Sequence, residues 1–260
     1  MRERFTLGTV IASLAVLAAF VAAWQYLPPA LGIPGFMMPG PKAVWSEFVR
    51  MHELERPWLH TGVTTLEIVV SFLIGSTLGA VIGYILAVLP KVELVLSPYI
   101  LGLQIAPKVA FAPLLVLWMG YTLYPRIVVA VLIVFFPIMI NVLTAIRSMD
   151  PDLISLARGL SATRWQIFRT VEYPATLPSL FSGLRIASTL CVIGVIVGEF
   201  VGGNLGLGYL LIFGQGMGNT AMVFAVTVML TIIGILAYAA VVLVEMKVLH
   251  YLPRAQHHTV

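Results

Sequence analysis

Long apolar runs separated by short polar segments dominate the chain. A helix of about 20 apolar residues crosses about 30 Å of hydrocarbon, so each run of that length predicts a membrane span. The first run follows a short charged start, is too long for a signal peptide and lacks a clear cleavage site, which predicts a retained anchor. The six runs cover residues 5–27, 63–89, 95–119, 127–146, 177–201 and 221–244.

The composition agrees with this pattern. Of 260 residues, 60% are hydrophobic and 10% are charged, and the mean hydropathy is +1.02. A water-soluble chain of this length could not bury so much apolar surface in one core. A single cysteine, Cys191, excludes an intramolecular disulfide. We therefore expect an all-α membrane protein with about six transmembrane helices.

The basic residues predict the orientation. If the N-terminus is cytoplasmic, ten basic residues lie inside and four outside, as the positive-inside rule requires, and both termini are cytoplasmic. The net charge of +4 then needs no nucleic acid to explain it. The inner set is Arg2, Arg4, Lys91, Arg147, Arg158, Arg164, Arg169, Arg185, Lys247 and Arg254, and the outer set is Lys42, Arg50, Arg56 and Arg126.

The most polar segment between spans covers residues 150–174. Asp150-Pro151-Asp152 provides an N-cap, a proline suited to the first turn and a carboxylate near the positive helix end. Gly159 and Ser161 then interrupt the helical pattern, and Pro174 closes the segment. The segment therefore predicts a bent pair of short amphipathic helices. Their apolar positions are Leu153, Leu156, Ala157 and Leu160, followed by Trp165, Phe168 and Val171.

A surface helix is predicted between the first two runs. Apolar positions repeat at helical spacing within residues 43–51, and Trp45 and Trp58 are expected at headgroup depth. Residues 52–56 approach the zinc-protease signature His-Glu-x-x-His, but Arg56 replaces the second ligand, so we predict no metal site.

Two runs carry glycine at every fourth residue, which lets helix backbones approach closely. Two interpretations stay open: packing within the subunit, or a face that slides or contacts a second copy during gating. The glycines are Gly75, Gly79 and Gly83 in the second run, and Gly194, Gly198 and Gly202 in the fifth.

Three ionisable residues fall inside predicted spans, where an unpaired charge costs about 3 kcal/mol or more. Lys108 lies midway along the third run and Glu199 toward the outer end of the fifth. These two residues are candidates for the solute pathway; a structural ion pair and snorkelling are the alternatives. Glu67 lies near the outer surface, where it is expected to reach water.

Glycines within residues 202–218 are too dense for a stable helix. The chain has no P-loop pattern, so nucleotide binding is not predicted. We expect an outer re-entrant segment in which residues 206–210 shape a gate or a docking rim.

The polar segment resembles the cytoplasmic loop in permease subunits of binding-protein-dependent ABC importers. That loop reads Glu-Ala-Ala, three residues, Gly, nine residues, Ile-x-Leu-Pro; only Ala157 and Pro174 match it literally. The surrounding sequences are similar to the nitrate, sulfonate and taurine branch: ARGLSATRWQIFRTVEYPATLPSLFSGLRIA, APLLVLWMGY, FFPIMIN and GEFVGGNLGLGYLL. The aligned positions are Ser155, Leu156, Ala157, Ser161, Val171, Tyr173 and Pro174.

The resemblance implies that residues 150–174 form a coupling loop that docks on a separate ATPase. The family's glycine position is occupied by Ser161, for which a left-handed turn is costly, so we expect Gly159 to carry the positive φ instead. The residues assigned to ATPase coupling are Leu153, Ser155, Leu156, Ala157, Arg158, Gly159, Leu160, Ser161, Arg164, Trp165 and Pro174.

The resemblance also implies the partners. They are two ABC ATPase subunits that use ATP and Mg, an extracytoplasmic solute-binding protein and a second permease copy, most simply in a homodimer. On this resemblance, the permease itself is expected to bind no cofactor and to catalyse no reaction. The resemblance further implies a location in the bacterial inner membrane and the import of small, often anionic solutes such as nitrate, sulfonates, taurine or thiamine precursors.

The chain divides accordingly into three parts. Residues 1–60 form the anchor and the outer surface helix, residues 61–250 the permease domain, and residues 251–260 a cytoplasmic tail. A secondary transporter would be expected to place several carboxylates or a histidine relay in its spans. An intramembrane enzyme would need a nucleophile–base pair or metal ligands at membrane depth. The five histidines all lie outside the runs, which disfavours both alternatives.

Overall fold

The computed structural model describes residues 7–250, and this part of the chain consists of helices and connecting loops without a β-strand. The predicted all-α class is therefore confirmed, while the predicted tail, residues 251–260, lies outside the described residues. Besides the α-helices, residues Lys108–Phe111 form a 3₁₀ segment and residues Phe168–Glu172 form a π segment. The helices are α1 Leu7–Ala30, α2 Pro41–Leu54, α3 Pro57–Val88, α4 Pro90–Ile105, α5 Ala112–Met119, α6 Leu123–Arg147, α7 Pro151–Gly159, α8 Arg164–Ile167, α9 Tyr173–Gly202, α10 Leu207–Gly216 and α11 Thr220–Val248.

Within residues 7–250, five helical stretches are long and apolar enough to cross a membrane, and a bent pair supplies a sixth. The bent pair joins Pro90–Ile105 to Lys108–Met119 at an angle of 80°. The predicted number of about six spans is thus confirmed. The five unbroken stretches are Gly8–Ala30, Pro57–Val88, Leu123–Arg147, Arg164–Gly202 and Thr220–Val248.

The third span, predicted over residues 95–119, contains Pro107 within its apolar run, and a proline inside a helix favours a kink. It breaks at Ala106 and Pro107, where Ala106 has φ −53° and ψ 134°. Proline lacks an N–H and disfavours helical geometry in the residue before it, so Pro107 pushes Ala106 into an extended conformation. The break places Lys108 at the bend.

The fifth span is longer than predicted, because Arg164–Gly202 forms one stretch of 39 residues. The predicted end of the second short helix before Pro174 is therefore wrong. In the π segment, the N–H of Tyr173 donates to the carbonyl of Phe168, five residues earlier. This wider turn is followed by Pro174 in the first turn of α9, where a missing N–H costs little.

Helix α6 is the centre of the bundle and packs between α3 and α9. Its residues Val129, Ala130, Val134 and Ile138 are completely buried. A helix that is apolar on every side suits this position, because it contacts protein on both faces.

The glycine face of α3 lies against α6. A Cβ added at Gly79 would stand 2.7 Å from the carbonyl oxygen of Phe135, and one at Gly83 would stand 2.5 Å from that of Met139. These are backbone atoms that cannot rotate away. The face therefore sets the distance between α3 and α6.

The glycine face of α9 lies against a different side of α6 and continues onto α5, where Gly202 meets Val116. A Cβ at Gly194 would stand 2.9 Å from the Cα of Ala130, and one at Gly198 would stand 2.7 Å from the Cα of Arg126. The structure thus places both glycine faces inside the subunit.

Two short helices, α2 and α10, cover the end of the bundle opposite α7 and α8. In α2, Val44 and Met51 are buried in a cluster with α10 and α11, while Trp45 stays exposed. The expectation that residues 202–218 form no helix is wrong for Leu207–Gly216. Glycines with positive φ flank this helix, and its apolar side is buried, which offsets the low helix propensity of glycine.

Candidate functional site

The coupling loop begins as its sequence predicts. The side chain of Asp150 accepts a hydrogen bond from the backbone N–H of Asp152 at 2.9 Å, and Pro151 occupies the first turn of α7. The hydroxyl of Ser155 donates to the carbonyl of Pro151 at 3.0 Å. Ser155 therefore bonds within its own helix.

Helix α7 presents uncovered leucines. No residue of α7 is buried, and Leu153, Leu156 and Leu160 are 49%, 62% and 75% exposed. Trp165, which follows on α8, is 67% exposed. An exposed row of large apolar side chains on a polar segment is typical of a surface that a partner covers.

The turn after α7 contradicts the prediction about Gly159. Gly159 is the last helical residue of α7, and Ser161 has the positive φ, 59°. The N–H of Ala162 donates to the carbonyl of Ala157, and that of Ser161 to the carbonyl of Arg158. This is a Schellman motif, which requires the left-handed residue one position beyond the C-cap Leu160. The position is thus set by where α7 ends.

Helix α8 starts with a capping box that our sequence reading missed. The hydroxyl of Thr163 accepts from the N–H of Gln166 at 3.3 Å, and the Gln166 side chain accepts from the N–H of Thr163 at 2.7 Å. The spacing of Thr163 and Gln166 is the known signal for this motif. The cap fixes where the chain re-enters the long helix.

Glu172 is a second feature that the sequence reading missed. Its side chain is 2% exposed and forms an ion pair with Arg164 at 2.8 Å. The hydroxyl of Tyr84, on α3, donates to its other oxygen at 2.8 Å. Eighty-eight residues separate Tyr84 from Glu172, so no local pattern could have indicated the contact.

A second polar cluster is buried toward the start of α3 and α6 and the end of α9. Arg126 forms an ion pair with Glu67 at 2.8 Å, with the two side chains 2% and 1% exposed. Our placements of Arg126 in an outer loop and of Glu67 near water are therefore wrong. Arg126 also donates to the carbonyl of Leu205 at 3.0 Å, which ties the α9–α10 turn to α6.

Glu199 belongs to the same cluster. It accepts the hydroxyl of Thr64 at 2.7 Å and the N–H of Gly208. The Thr64 hydroxyl in turn accepts the N–H of Leu207 at 2.8 Å. These bonds fasten the start of α10 to α3 and α9.

Lys108 lies elsewhere. Its ammonium donates to the carbonyl of Gln104 at 2.6 Å and stands 4.8 Å from the ring centre of Phe136. Within residues 7–250 it forms no ion pair, and Glu199 is held by Thr64 and Gly208 instead. The structure therefore does not bring Lys108 and Glu199 together as a pair.

Comparisons with known proteins bear on this arrangement. A family model described as binding-protein-dependent transport system inner membrane component matches residues 75–250. The riboflavin transport system permease protein RibX of Chloroflexus aurantiacus is 36% identical over 222 residues, which are 85% of this chain and 83% of the relative. The putative aliphatic sulfonates transport permease protein SsuC of Bacillus subtilis is 29% identical over 234 residues, 90% of this chain and 85% of the relative.

A solved structure shares the fold. The inward-facing MetNI methionine ABC transporter contains a chain that is similar with a TM-score of 0.63 and 23% identity, over 77% of this chain and 99% of that one. The resemblance inferred from the coupling loop and its flanking sequences is confirmed. The chain belongs to the family of binding-protein-dependent transport system inner membrane components, the permeases of ABC importers.

Proposed function

We propose that the chain is the transmembrane permease subunit of an ATP-driven importer. A separate ATPase docks on the coupling loop, and a separate binding protein delivers a small solute. The observation that carries the proposal is the row of exposed leucines on α7. Burying each leucine against a partner stabilises the contact by about 1.5–3 kcal/mol, which is enough for three of them to anchor a short helix.

The energy source is placed in another subunit because this sequence lacks a P-loop. The coupling loop must then face the cytoplasm. The distribution of basic residues supports this orientation more strongly when Arg126 is counted in α6 and no longer in the outer loop. The outer side keeps only Lys42, Arg50 and Arg56.

In this proposal, the bent pair α4–α5 lines the solute pathway and contacts the second copy of the permease. No residue of α4 is buried within the subunit. Lys108 lies at its end, at the bend, and is the candidate pathway residue. The alternative is that this surface faces lipid only, which would leave the ammonium in hydrocarbon at considerable cost.

Lys108 favours an anionic solute. Arg126 and Arg185, in α6 and α9, have the carboxylates Glu67 and Glu245 within 4 Å. Within residues 7–250, Lys108 has only a carbonyl and an aromatic ring as partners. A sulfonate-like group would supply the missing charge, which agrees with the sulfonate permease among the relatives. Because Thr64 and Gly208 already donate to Glu199, we assign this residue to holding α10 in place.

Affinity purification tests the proposal. The tagged chain is expressed with its genomic neighbours, solubilised gently and analysed by mass spectrometry and phosphate release. We expect an ATPase to copurify with the wild type and to be lost when Leu156 and Leu160 are changed to Asp, because two charges then replace the apolar contact.

The matched control is Leu31→Asp, since Leu31 is 67% exposed, like the α7 leucines, but lies on the outer side. This variant should retain the ATPase. A monodisperse wild-type chain without an ATPase would contradict the proposal and favour a secondary transporter. An ATPase retained by the double variant Leu156→Asp, Leu160→Asp would place the docking surface elsewhere.

A further inference from the structure

The side chain of Glu172 connects α8 to α3, two helices that are otherwise weakly connected. One carboxylate oxygen meets Arg164 of α8 at 2.8 Å, and the other accepts the hydroxyl of Tyr84 of α3 at 2.8 Å. The Glu172 carboxylate is buried and Tyr84 is half-buried, whereas the Arg164 side chain is 53% exposed. The bond to Tyr84 is therefore screened less by water than the bond to Arg164.

Aromatic rings reinforce the same connection. The ring of Phe168 lies 5.0 Å from that of Tyr84 and 5.3 Å from that of Trp165. Trp165 lies next to Arg164, one turn beyond the exposed end of α7. A displacement of α8 therefore pushes on Tyr84 through van der Waals contact and pulls on it through Glu172.

The π segment positions this carboxylate. Residues Phe168–Glu172 contain a wider turn than an α-helix, and such turns recur at functional positions because they redirect side chains at some cost in stability. The carbonyl of Glu172 accepts the hydroxyl of Thr176 at 2.7 Å, which anchors the end of the segment to α9.

The connection continues into the bundle. Tyr84 follows Gly83, whose backbone is in close contact with the Met139 carbonyl of α6. A force on Tyr84 thus reaches the tightest part of the α3–α6 interface, since close-packed helices move as units.

We infer that Glu172 is a positioning residue that transmits movement of the α7–α8 loop to α3. The inference rests on the proposed function, because only an ATPase bound at α7 would move that loop. It assigns Glu172 and Tyr84 to transmission and leaves docking to the leucines of α7.

Spin-label distance measurements test the inference without knowledge of the solute. The label is attached through Gly62→Cys on the outer part of α3, where an added Cβ meets no atom within 4 Å. The native Cys191 is completely buried and does not compete for the reagent. Distances between the labels of two copies are measured in the purified ATPase complex in nanodiscs, with and without Mg-ATP and vanadate.

We expect Mg-ATP and vanadate to shift the distance distribution in the wild-type complex. In Glu172→Gln the ATPase should copurify and hydrolyse ATP as before, while the shifted fraction falls about fivefold or more, the scale of typical coupling between sites. Tyr84→Phe should act similarly, and the double variant should be no worse than either single one, because both changes break one connection.

The matched control is Glu47→Gln, since Glu47 forms an ion pair with Arg50 within α2, on a different element from α4–α5. It should leave the shift intact. A full shift in Glu172→Gln, additive effects of the two changes, or loss of the ATPase from Glu172→Gln would each overturn the inference. If no ATPase copurifies with the wild-type chain, the proposed function, on which the inference depends, is refuted instead.

Discussion

Alanine at Gly83 tests how tightly α3 and α6 are held together. The new Cβ would stand 2.5 Å from the carbonyl oxygen and 3.1 Å from the Cα of Met139, a residue that is 1% exposed. Both contacts are with backbone, so the helices must separate by several tenths of an ångström. Overpacking of this kind costs about 1–3 kcal/mol.

The matched variant is Gly62→Ala, also within α3, where the added Cβ would meet no atom within 4 Å. Alanine gains up to about 1 kcal/mol of helix propensity over glycine at both positions. The difference between the two variants therefore isolates the contact, and we expect Gly83→Ala to be less stable by about 1–3 kcal/mol.

Unfolding of the purified chain in mixed micelles measures this difference, with far-UV circular dichroism followed as the fraction of sodium dodecyl sulfate rises. The midpoint of Gly83→Ala should fall well below that of Gly62→Ala. Equal midpoints would refute the conclusion that the glycine face sets the α3–α6 distance.

Three further outcomes follow from the described contacts. Arg126→Met should lower the free energy of unfolding by about 3–5 kcal/mol in the same assay, because it leaves the Glu67 carboxylate buried without its cation; an unchanged midpoint would contradict this. Ser161→Gly should stabilise the turn after α7 by about 1 kcal/mol, since glycine adopts positive φ without steric cost, and slower amide exchange there would show it. The hydrogen bond from Arg50 lowers the pKa of Glu47, so α2 is stabilised above the ordinary glutamate pKa of about 4.3 and loses this as pH falls through the lowered value. Arg50→Ala should remove most of that pH dependence, as measured by amide exchange in α2.

Features set by local sequence were predictable. Continuous apolar runs gave the number of spans, because only length and hydropathy matter for crossing hydrocarbon. Asp150-Pro151-Asp152 gave the start of α7, because a cap depends on neighbouring residues alone. Pro107 gave a warning of the break in the third span, although the apolar run itself continues through it.

Features set by contacts between residues far apart in the sequence were not predictable. Arg126 stands immediately before an apolar run, and hydropathy alone put it in a loop; its partner Glu67 is 59 residues away. An ion pair between Lys108 and Glu199 was one of the interpretations that the sequence left open, yet Thr64 and Gly208 bond to Glu199. Ser161 has the positive φ because α7 ends at Gly159 and has Leu160 as its C-cap. Residue propensities do not determine where α7 ends, and they favoured Gly159 as the residue with positive φ.

The most direct test of the central claim is whether an ATPase covers α7. The variant Leu156→Cys is labelled with a maleimide in the purified permease and in the complex with its ATPase, with Leu31→Cys as the outer control. The account predicts that the ATPase blocks labelling at position 156 and leaves position 31 reactive. Equal labelling of position 156 in both samples would contradict it.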